Sequence, residues 1–114
     1  MKELKYKRIL LKVSGEALGE KTAQGDGFGL DFKKIAEVAE SIKACVDMGV
    51  QVGLVIGGGN FWRGIKNGTG KMQRSHADAM GMLATVMNAI AVADVLEQHG
   101  LEARVLSAVE MNKF

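Results

Sequence analysis

The chain alternates between two kinds of apolar pattern, and their order predicts the fold. Apolar residues run in short stretches at 6–13, 50–56 and about 102–107, which indicates β-strands. Over 32–46 and about 75–98 they recur instead at helical spacing. The order strand, helix, strand, helix, strand is typical of parallel strands joined by right-handed crossovers. The pattern therefore predicts an α/β fold with a mostly parallel sheet.

The segments between these elements are rich in glycine and polar residues. Residues 14–30 are expected to form a loop or a short hairpin. Asp31 is in position to cap the first helix, and Gly49 is in position to end it. Residues 57–73 combine a glycine-rich loop with a polar stretch before the second helix.

The second predicted helix is apolar nearly all round, so more than one of its sides should be buried. One face carries Met80, Leu83, Met87 and Ile90, and the roughly opposite face carries Gly81, Ala84, Thr85, Asn88, Val92 and Val95. We expect one face to pack on the sheet. The small-residue face suits close approach by another helix, either of a second subunit or of the same polypeptide.

Composition narrows the class of protein. The 114 residues fit one domain, and the hydrophobic fraction of 47% is enough for a core. The net charge of +2 does not indicate binding to nucleic acid or to a membrane surface. No apolar run approaches the ~20 residues of a membrane span. Cys45 is the only cysteine, which excludes an internal disulfide and fits a reducing cytoplasm. His76 and His99 lack the spacing of transition-metal ligands.

Three consecutive glycines, Gly57, Gly58 and Gly59, follow the second strand, and Arg63 comes four residues later. Glycine at the carboxyl end of a strand lets backbone N–H groups approach a ligand that a Cβ would hold away. Successive free N–H groups form an anion-binding concavity, and an arginine adds bidentate contacts to phosphate oxygens. The pattern predicts a phosphate site, although a tight turn with a surface arginine has the same sequence.

A second phosphate candidate lies where the first strand ends, at Lys12, Ser14 and Gly15. The Lys12 ammonium suits phosphate charge, and the Ser14–Gly15 turn offers a hydroxyl and backbone N–H groups. A lysine among apolar residues also fits a solvated strand face. Ligands of open α/β sheets bind beyond the carboxyl ends of the strands. Two glycine turns there would hold two phosphate groups side by side, as a phosphotransferase requires.

Asp78 has two interpretations. Ser75 and Asp78 have the spacing of a capping box, which would place Asp78 in the first turn of the second helix. Because this helix follows the glycine-rich segment, Asp78 is also a candidate for contact with a ligand hydroxyl or base. Two nucleotide-binding motifs are incomplete: Trp62 replaces a glycine of the dinucleotide fingerprint, and Ile65 and Met72 break a Walker loop.

Four stretches together resemble the bacterial uridylate (UMP) kinase family, a branch of the amino-acid kinase superfamily. They are KVSGEAL at 12–18, FGLD at 28–31, IGGGN at 56–60 followed by Arg63 and Gly64, and ADAMGMLATVMNA at 77–89. The glycine loop alone is typical of the superfamily, which includes acetylglutamate, glutamate 5- and aspartate kinases. The SGEAL and MGMLATVMN runs indicate the UMP kinase branch, and the similarity is collinear over essentially the whole chain.

The resemblance implies a three-layer αβα sandwich that transfers the γ-phosphoryl group of ATP to UMP in pyrimidine nucleotide biosynthesis. It implies that Lys12, Ser14 and Gly15 contact the ATP phosphates, with Lys12 catalytic, and that Asp78 contacts uridine. By the same resemblance, the UMP phosphate would be held by Gly57, Gly58, Gly59 and Arg63. Mg²⁺ accompanies ATP in the superfamily, which forms no covalent enzyme intermediate. Bacterial family members are hexamers that respond to GTP.

The resemblance also implies how much of the enzyme this chain represents. Family members continue into a second half that carries the adenine pocket and catalytic carboxylate and lysine groups. We therefore expect residues 1–114 to be the amino-terminal part of a single domain, truncated after the third main strand and inactive alone. Two alternatives remain open. One is another superfamily kinase, such as acetylglutamate kinase, and the other is a non-catalytic phosphate-binding or oligomerisation module.

Overall fold

The computed structural model describes residues 4–22, 25–62 and 70–107. Its elements are β1 (Arg8–Val13), a short 3-10 helix (Gly15–Leu18), β2 (Glu20–Thr22), β3 (Gly25–Phe28), α1 (Phe32–Asp47), β4 (Gln51–Ile56) and α2 (Arg74–Gln98). In this part of the chain β1 and β4 pair in parallel, and β2 and β3 form an antiparallel hairpin. The predicted α/β class, both long helices and the hairpin are confirmed.

Local sequence signals explain where α1 begins and ends. The Asp31 carboxylate accepts hydrogen bonds from the backbone N–H groups of Lys33 at 3.0 Å and Lys34 at 3.4 Å. These groups have no partner within the helix, so an N-cap aspartate stabilises its first turn. Gly49 has a φ of +93°, a conformation that favours glycine and turns the chain into β4.

The hydrophobic core lies between one face of the sheet and both long helices. Its buried members are Leu18, Ile35, Ala39, Ile42, Val92, Val95 and Leu96, and the strand residues Val13, Val52, Leu54 and Ile56 pack against it. Because strand side chains alternate, Arg8, Leu10 and Lys12 face the other way. Leu10 is accordingly 72% exposed. Of the three layers expected, the described residues form the sheet and one helical layer.

The orientation of α2 settles which of its faces meets the rest of the chain. Ala84 and Asn88, on the small-residue face, are 4% and 0% exposed, whereas Leu83 and Met87 are 52% and 51% exposed. The close neighbour of the small-residue face is the glycine loop of the same polypeptide, described below. Of the two partners left open for this face, the structure shows one from the same polypeptide, and it is a loop rather than a helix. The exposed apolar face of α2 is the one with Met80, Leu83 and Met87.

The prediction that no apolar run approaches the length of a membrane span is wrong for helix α2. It has 25 residues, and an 18-residue window reaches a mean hydropathy of 1.7, so its length and composition alone would allow it to cross a membrane. Core helices of globular proteins pass the same test. Val92, Val95 and Leu96 of this helix are buried against α1 and the sheet, while 28% of the apolar window as a whole is buried within the described part of the chain.

The third predicted strand, at 102–107, is not a strand in the structure. Residues 101–107 have no regular secondary structure, and within the described residues the main sheet contains only β1 and β4. Together with β4 and α2, this segment lines an apolar groove of about 610 Å³. Leu106 is 91% exposed. An apolar run becomes a strand only when a neighbour completes its hydrogen bonds, and no described residue does so here.

Candidate phosphate-binding site

The two glycine turns singled out in the sequence lie side by side. Strands β1 and β4 pair in parallel with Val13 opposite Ile56, so both turns leave the same edge of the sheet. The Gly57 N–H extends this pairing by donating to the Val13 carbonyl at 3.0 Å. The structure thus brings Ser14 and Gly15 together with the Gly57–Gly59 loop.

Gly15 allows the two turns to touch through their backbones. A Cβ at this position would lie 2.5 Å from the Gly59 nitrogen and 2.7 Å from the Asn60 Oδ1 atom. Both distances are shorter than a van der Waals contact, and the first involves backbone that cannot swing aside. Gly15 is also buried at the start of the 3-10 helix. Glycine is therefore required at 15 for close packing.

Gly58 has a different steric role, because it faces helix α2. A Cβ at Gly58 would lie 2.9 Å from the Ala84 Cβ and 3.0 Å from the Thr85 nitrogen. The loop consequently rests on the small-residue face of α2. The glycine pattern predicts close approach of a ligand, and at Gly58 packing against α2 is a second reason for glycine.

The loop presents a run of backbone N–H groups that have no acceptor among the described residues. The backbone N–H groups of Gly58, Gly59 and Asn60 donate to no other described residue, whereas that of Gly57 is engaged by Val13. Gly58–Asn60 follow the carboxyl end of β4, where ligands of α/β sheets bind. Successive free N–H groups of this kind complement the oxygens of an anion.

Lys12 and Ser14 place further polar groups at the same edge. Lys12 lies opposite Val55 on the sheet face that no described helix covers, and it is exposed. It forms no ion pair with any residue of the described ranges. Ser14 precedes the 3-10 helix, is exposed, and its hydroxyl makes no capping hydrogen bond. An ammonium and a hydroxyl near the carboxyl end of β1 are thus open to solvent.

Asp78 lies near the start of α2, but its predicted capping role is wrong. The helix begins at Arg74, its N-cap is Gln73, and no side chain caps it. Ser75 is therefore already inside the helix, and Asp78 falls beyond the first turn. The Asp78 carboxylate is 56% exposed and lies 3.8 Å from the Arg74 Nε atom, one turn earlier. Such a surface ion pair stabilises little and leaves the carboxylate open to solvent.

Trp62, at the carboxyl-terminal end of the glycine loop, hydrogen-bonds to α2. Its indole Nε1–H donates to the Ala77 carbonyl at 2.7 Å, next to Asp78. This hydrogen bond brings the start of α2 beside the end of the glycine loop. Arg63, the predicted phosphate-binding arginine, and Gly64 lie outside the described residues.

Sequence reasoning missed a buried pair of asparagines behind the loop. Asn60 and Asn88 are 1% and 0% exposed, and their side-chain amides exchange hydrogen bonds of 2.7 and 3.0 Å. Asn60 also donates to the Gly29 carbonyl and Asn88 to the Gly57 carbonyl, each at 2.7 Å. A polar residue amid an apolar helix face, at 88, was the available signal, but nothing local indicated its partner.

Comparison with known proteins identifies the family. The model of the amino acid kinase family matches residues 7–113. The chain belongs to the amino acid kinase family. The two glycine turns and the helix that supports them all lie within the matched range.

Solved structures of amino acid kinases show the same fold. The chain is similar to UMP kinase from Ureaplasma parvum, with 36% identity and a TM-score of 0.80 over 96% of this chain and 45% of that one. It is also similar to UMP kinase from Bacillus anthracis, with 38% identity and a TM-score of 0.71 over 82% of this chain and 36% of that one. The chain thus spans less than half the length of either enzyme.

Proposed function

We propose that this chain forms the phosphate-binding side of a UMP kinase, an enzyme that converts ATP and UMP to ADP and UDP in pyrimidine nucleotide biosynthesis. The single observation that carries the proposal is the contact between the Ser14–Gly15 turn and the Gly57–Gly59 loop at one edge of the sheet. A kinase must hold two phosphate groups next to each other, and adjacent glycine turns suit that task. The proposed substrate is supported by the two similar solved enzymes, both UMP kinases.

The proposed roles divide between the two turns. Ser14 and Gly15 would contact the ATP phosphates, and Lys12 would stabilise negative charge on the transferring phosphoryl group. The UMP phosphate would bind at Gly57–Gly59 and Arg63. In the reaction a UMP phosphate oxygen bonds to the γ-phosphorus as the bond to the ADP oxygen breaks.

Asp78 would select the nucleoside part of UMP. Its exposed carboxylate can accept hydrogen bonds from a ribose hydroxyl or a base N–H. The Trp62–Ala77 hydrogen bond supports this proposal because it brings the start of α2 next to the end of the phosphate loop.

Mg²⁺ is expected to bind together with ATP, but the hydrogen-bond donors at the two turns are not metal ligands. Backbone N–H groups and the Lys12 ammonium match phosphate oxygens, whereas Mg²⁺ prefers carboxylate and water oxygens. The described residues contain no cluster of three or more His, Cys, Asp or Glu side chains that could hold a metal ion. We therefore assign none of the described residues to Mg²⁺.

The exposed face of α2 is proposed as the contact for a cytoplasmic homo-oligomer, with a hexamer and GTP regulation as the family expectations. Met80, Leu83 and Met87 follow one another along this face, and all three are exposed. Burying such side chains between subunits would stabilise the assembly by roughly 25 cal/mol per Å² of apolar surface removed from water.

We further propose that residues 1–114 are the amino-terminal part of a single kinase domain and make no UDP alone. The chain matches 45% and 36% of the lengths of the two solved enzymes, which supports this view. Positioning both reactants together can lower a barrier by about 7–11 kcal/mol, and one wall of a site fixes them poorly.

Ligand titration tests the proposed function. UMP, UDP, uridine and acetylglutamate are added separately to the ¹⁵N-labelled chain while the Gly58 and Gly59 amide signals are followed. We expect UMP and UDP to shift these signals, with uridine and acetylglutamate inactive at the same concentrations. A response to acetylglutamate but not to UMP would favour the acidic-acceptor kinase, and a coupled assay for ADP release tests the predicted inactivity.

A further inference from the structure

The Asn60–Asn88 pair uses all of its amide hydrogens. Asn60 Nδ2 donates to Gly29 O and Asn88 Oδ1, while Asn88 Nδ2 donates to Gly57 O and Asn60 Oδ1. An asparagine amide has two N–H groups, so no donor of the pair is left unsatisfied. The pair therefore connects α2, the glycine loop and the turn before α1 at one buried point.

A polar pair in this position needs an explanation other than packing. Both side chains are at most 1% exposed. Burial of an amide is costly unless its hydrogen bonds are complete, and apolar side chains of similar size would fill the same space without that risk. Fully satisfied buried networks rigidify what they hold.

The Gly57 carbonyl is the group whose direction matters most. In a trans peptide the C=O and the following N–H point in opposite directions. The Asn88 amide holds the Gly57 oxygen towards the buried side of the loop at 2.7 Å, so the Gly58 N–H must point away from that side. The next peptide is fixed similarly, because Phe61 and Trp62 donate to the Gly58 oxygen at 3.1 Å and thereby orient the Gly59 N–H.

We propose that Asn88, paired with Asn60, is a positioning residue that aims the Gly58 N–H group at the phosphate of the bound nucleotide. This inference rests on the proposed function, since it presumes that the loop binds a nucleotide phosphate. Asn88 lies behind the loop and acts on the ligand only through the Gly57–Gly58 peptide. Replacing Asn88 should therefore weaken phosphate binding. The loss of affinity should exceed that of a control substitution that also lowers stability but does not touch the loop.

The test compares three variants of the whole chain. Asn88→Ala removes the donor to Gly57. Val92→Ala is the matched control, because Val92 lies one turn later on α2 and is 2% exposed in the core. The double variant Asn60→Leu with Asn88→Leu restores packing without leaving a lone buried amide. Each is melted to measure stability, then titrated with UMP and with inorganic phosphate well below its melting temperature.

We expect Val92→Ala to melt earlier than the wild type and to bind UMP within about twofold of it, since only the core is disturbed. Asn88→Ala should raise the Kd about tenfold, a loss typical of one well-placed hydrogen bond. The double-leucine variant should be more stable than Asn88→Ala and still bind as weakly. Wild-type affinity in the double variant would overturn the inference, because the amides would then serve packing alone.

Loop order supplies a measurement that needs no ligand. The heteronuclear ¹H–¹⁵N NOE of Gly58 should fall in Asn88→Ala and in the double variant, but not in Val92→Ala. If wild-type protein fails to respond to UMP and phosphate, the proposed function is wrong. In that event an unchanged NOE in the asparagine variants also overturns the positioning role, and a reduced NOE supports it.

Discussion

Replacing Gly15 by alanine tests whether the two glycine turns touch as described. The new Cβ would lie 2.5 Å from the Gly59 nitrogen, so the turns must open by about 0.9 Å to reach an ordinary contact near 3.4 Å. Overpacking of this kind costs about 1–3 kcal/mol. Alanine returns about 0.4–1 kcal/mol by restricting the unfolded chain. We expect a net loss of about 1–2 kcal/mol in the free energy of unfolding, or a Tm lower by about 4–8 °C.

Gly81→Ala is the matched control, with the opposite expected sign. Gly81 is inside α2, and an added Cβ would lie 3.7 Å from the Trp62 Cδ1 atom, an ordinary contact. Alanine in a helix interior is more favourable than glycine by up to about 1 kcal/mol. Thermal and urea unfolding of both variants measure the difference. An unchanged or higher Tm for Gly15→Ala would refute the backbone contact, whatever Gly81→Ala does.

Three further predictions concern ligands and assembly. Arg63→Ala should weaken UMP binding by about 1.5–3 kcal/mol and leave uridine binding unchanged, because the lost hydrogen bonds go to a charged group; equal losses in calorimetry would show that Arg63 does not contact the phosphate. In an enzyme of full family length, Lys12→Ala should chiefly lower kcat in a coupled assay. Wild-type turnover in this variant would show that Lys12 has no catalytic role and is only an exposed residue of β1. Leu83→Arg should leave the protein folded but reduce the mass of its assembly measured by light scattering, because Leu83 is exposed. Ala84→Arg should prevent folding, because Ala84 is buried beside Gly58. An unchanged mass for Leu83→Arg would exclude the exposed face of α2 as the interface.

Elements with local causes could be predicted from the sequence. The carboxylate of Asp31 and the glycine at 49 act within a few residues of themselves, so the limits of α1 were correct. The two glycine turns were also placed together correctly, because parallel strands joined by a crossover present their carboxyl ends at one edge. For Asp78 the N-cap lies at Gln73, two residues before the predicted cap at Ser75, which is enough to remove its capping role.

Features that depend on distant partners could not be predicted. Helix α2 is apolar on nearly every side, so its sequence contains no preference strong enough to orient it. Its orientation follows from the contact of Ala84 with Gly58, 26 positions earlier in the chain. The hydrogen bonds between Asn60 and Asn88 span 28 positions. The segment at 102–107 had the composition of a strand, but no described neighbour pairs with it.

The pairing of β1 with β4 sets the distance between the two proposed phosphate sites. Val13 and Ile56 are opposite each other, and the glycine turns begin directly after them, so the separation of the two phosphate sites is inherited from strand register. A slip of one residue would shift one turn by about 3.3 Å and turn Lys12 towards the core. In the proposed enzyme, loop substitutions would change how tightly each nucleotide binds, while the distance that the phosphoryl group crosses would be set by hydrogen bonds within the sheet.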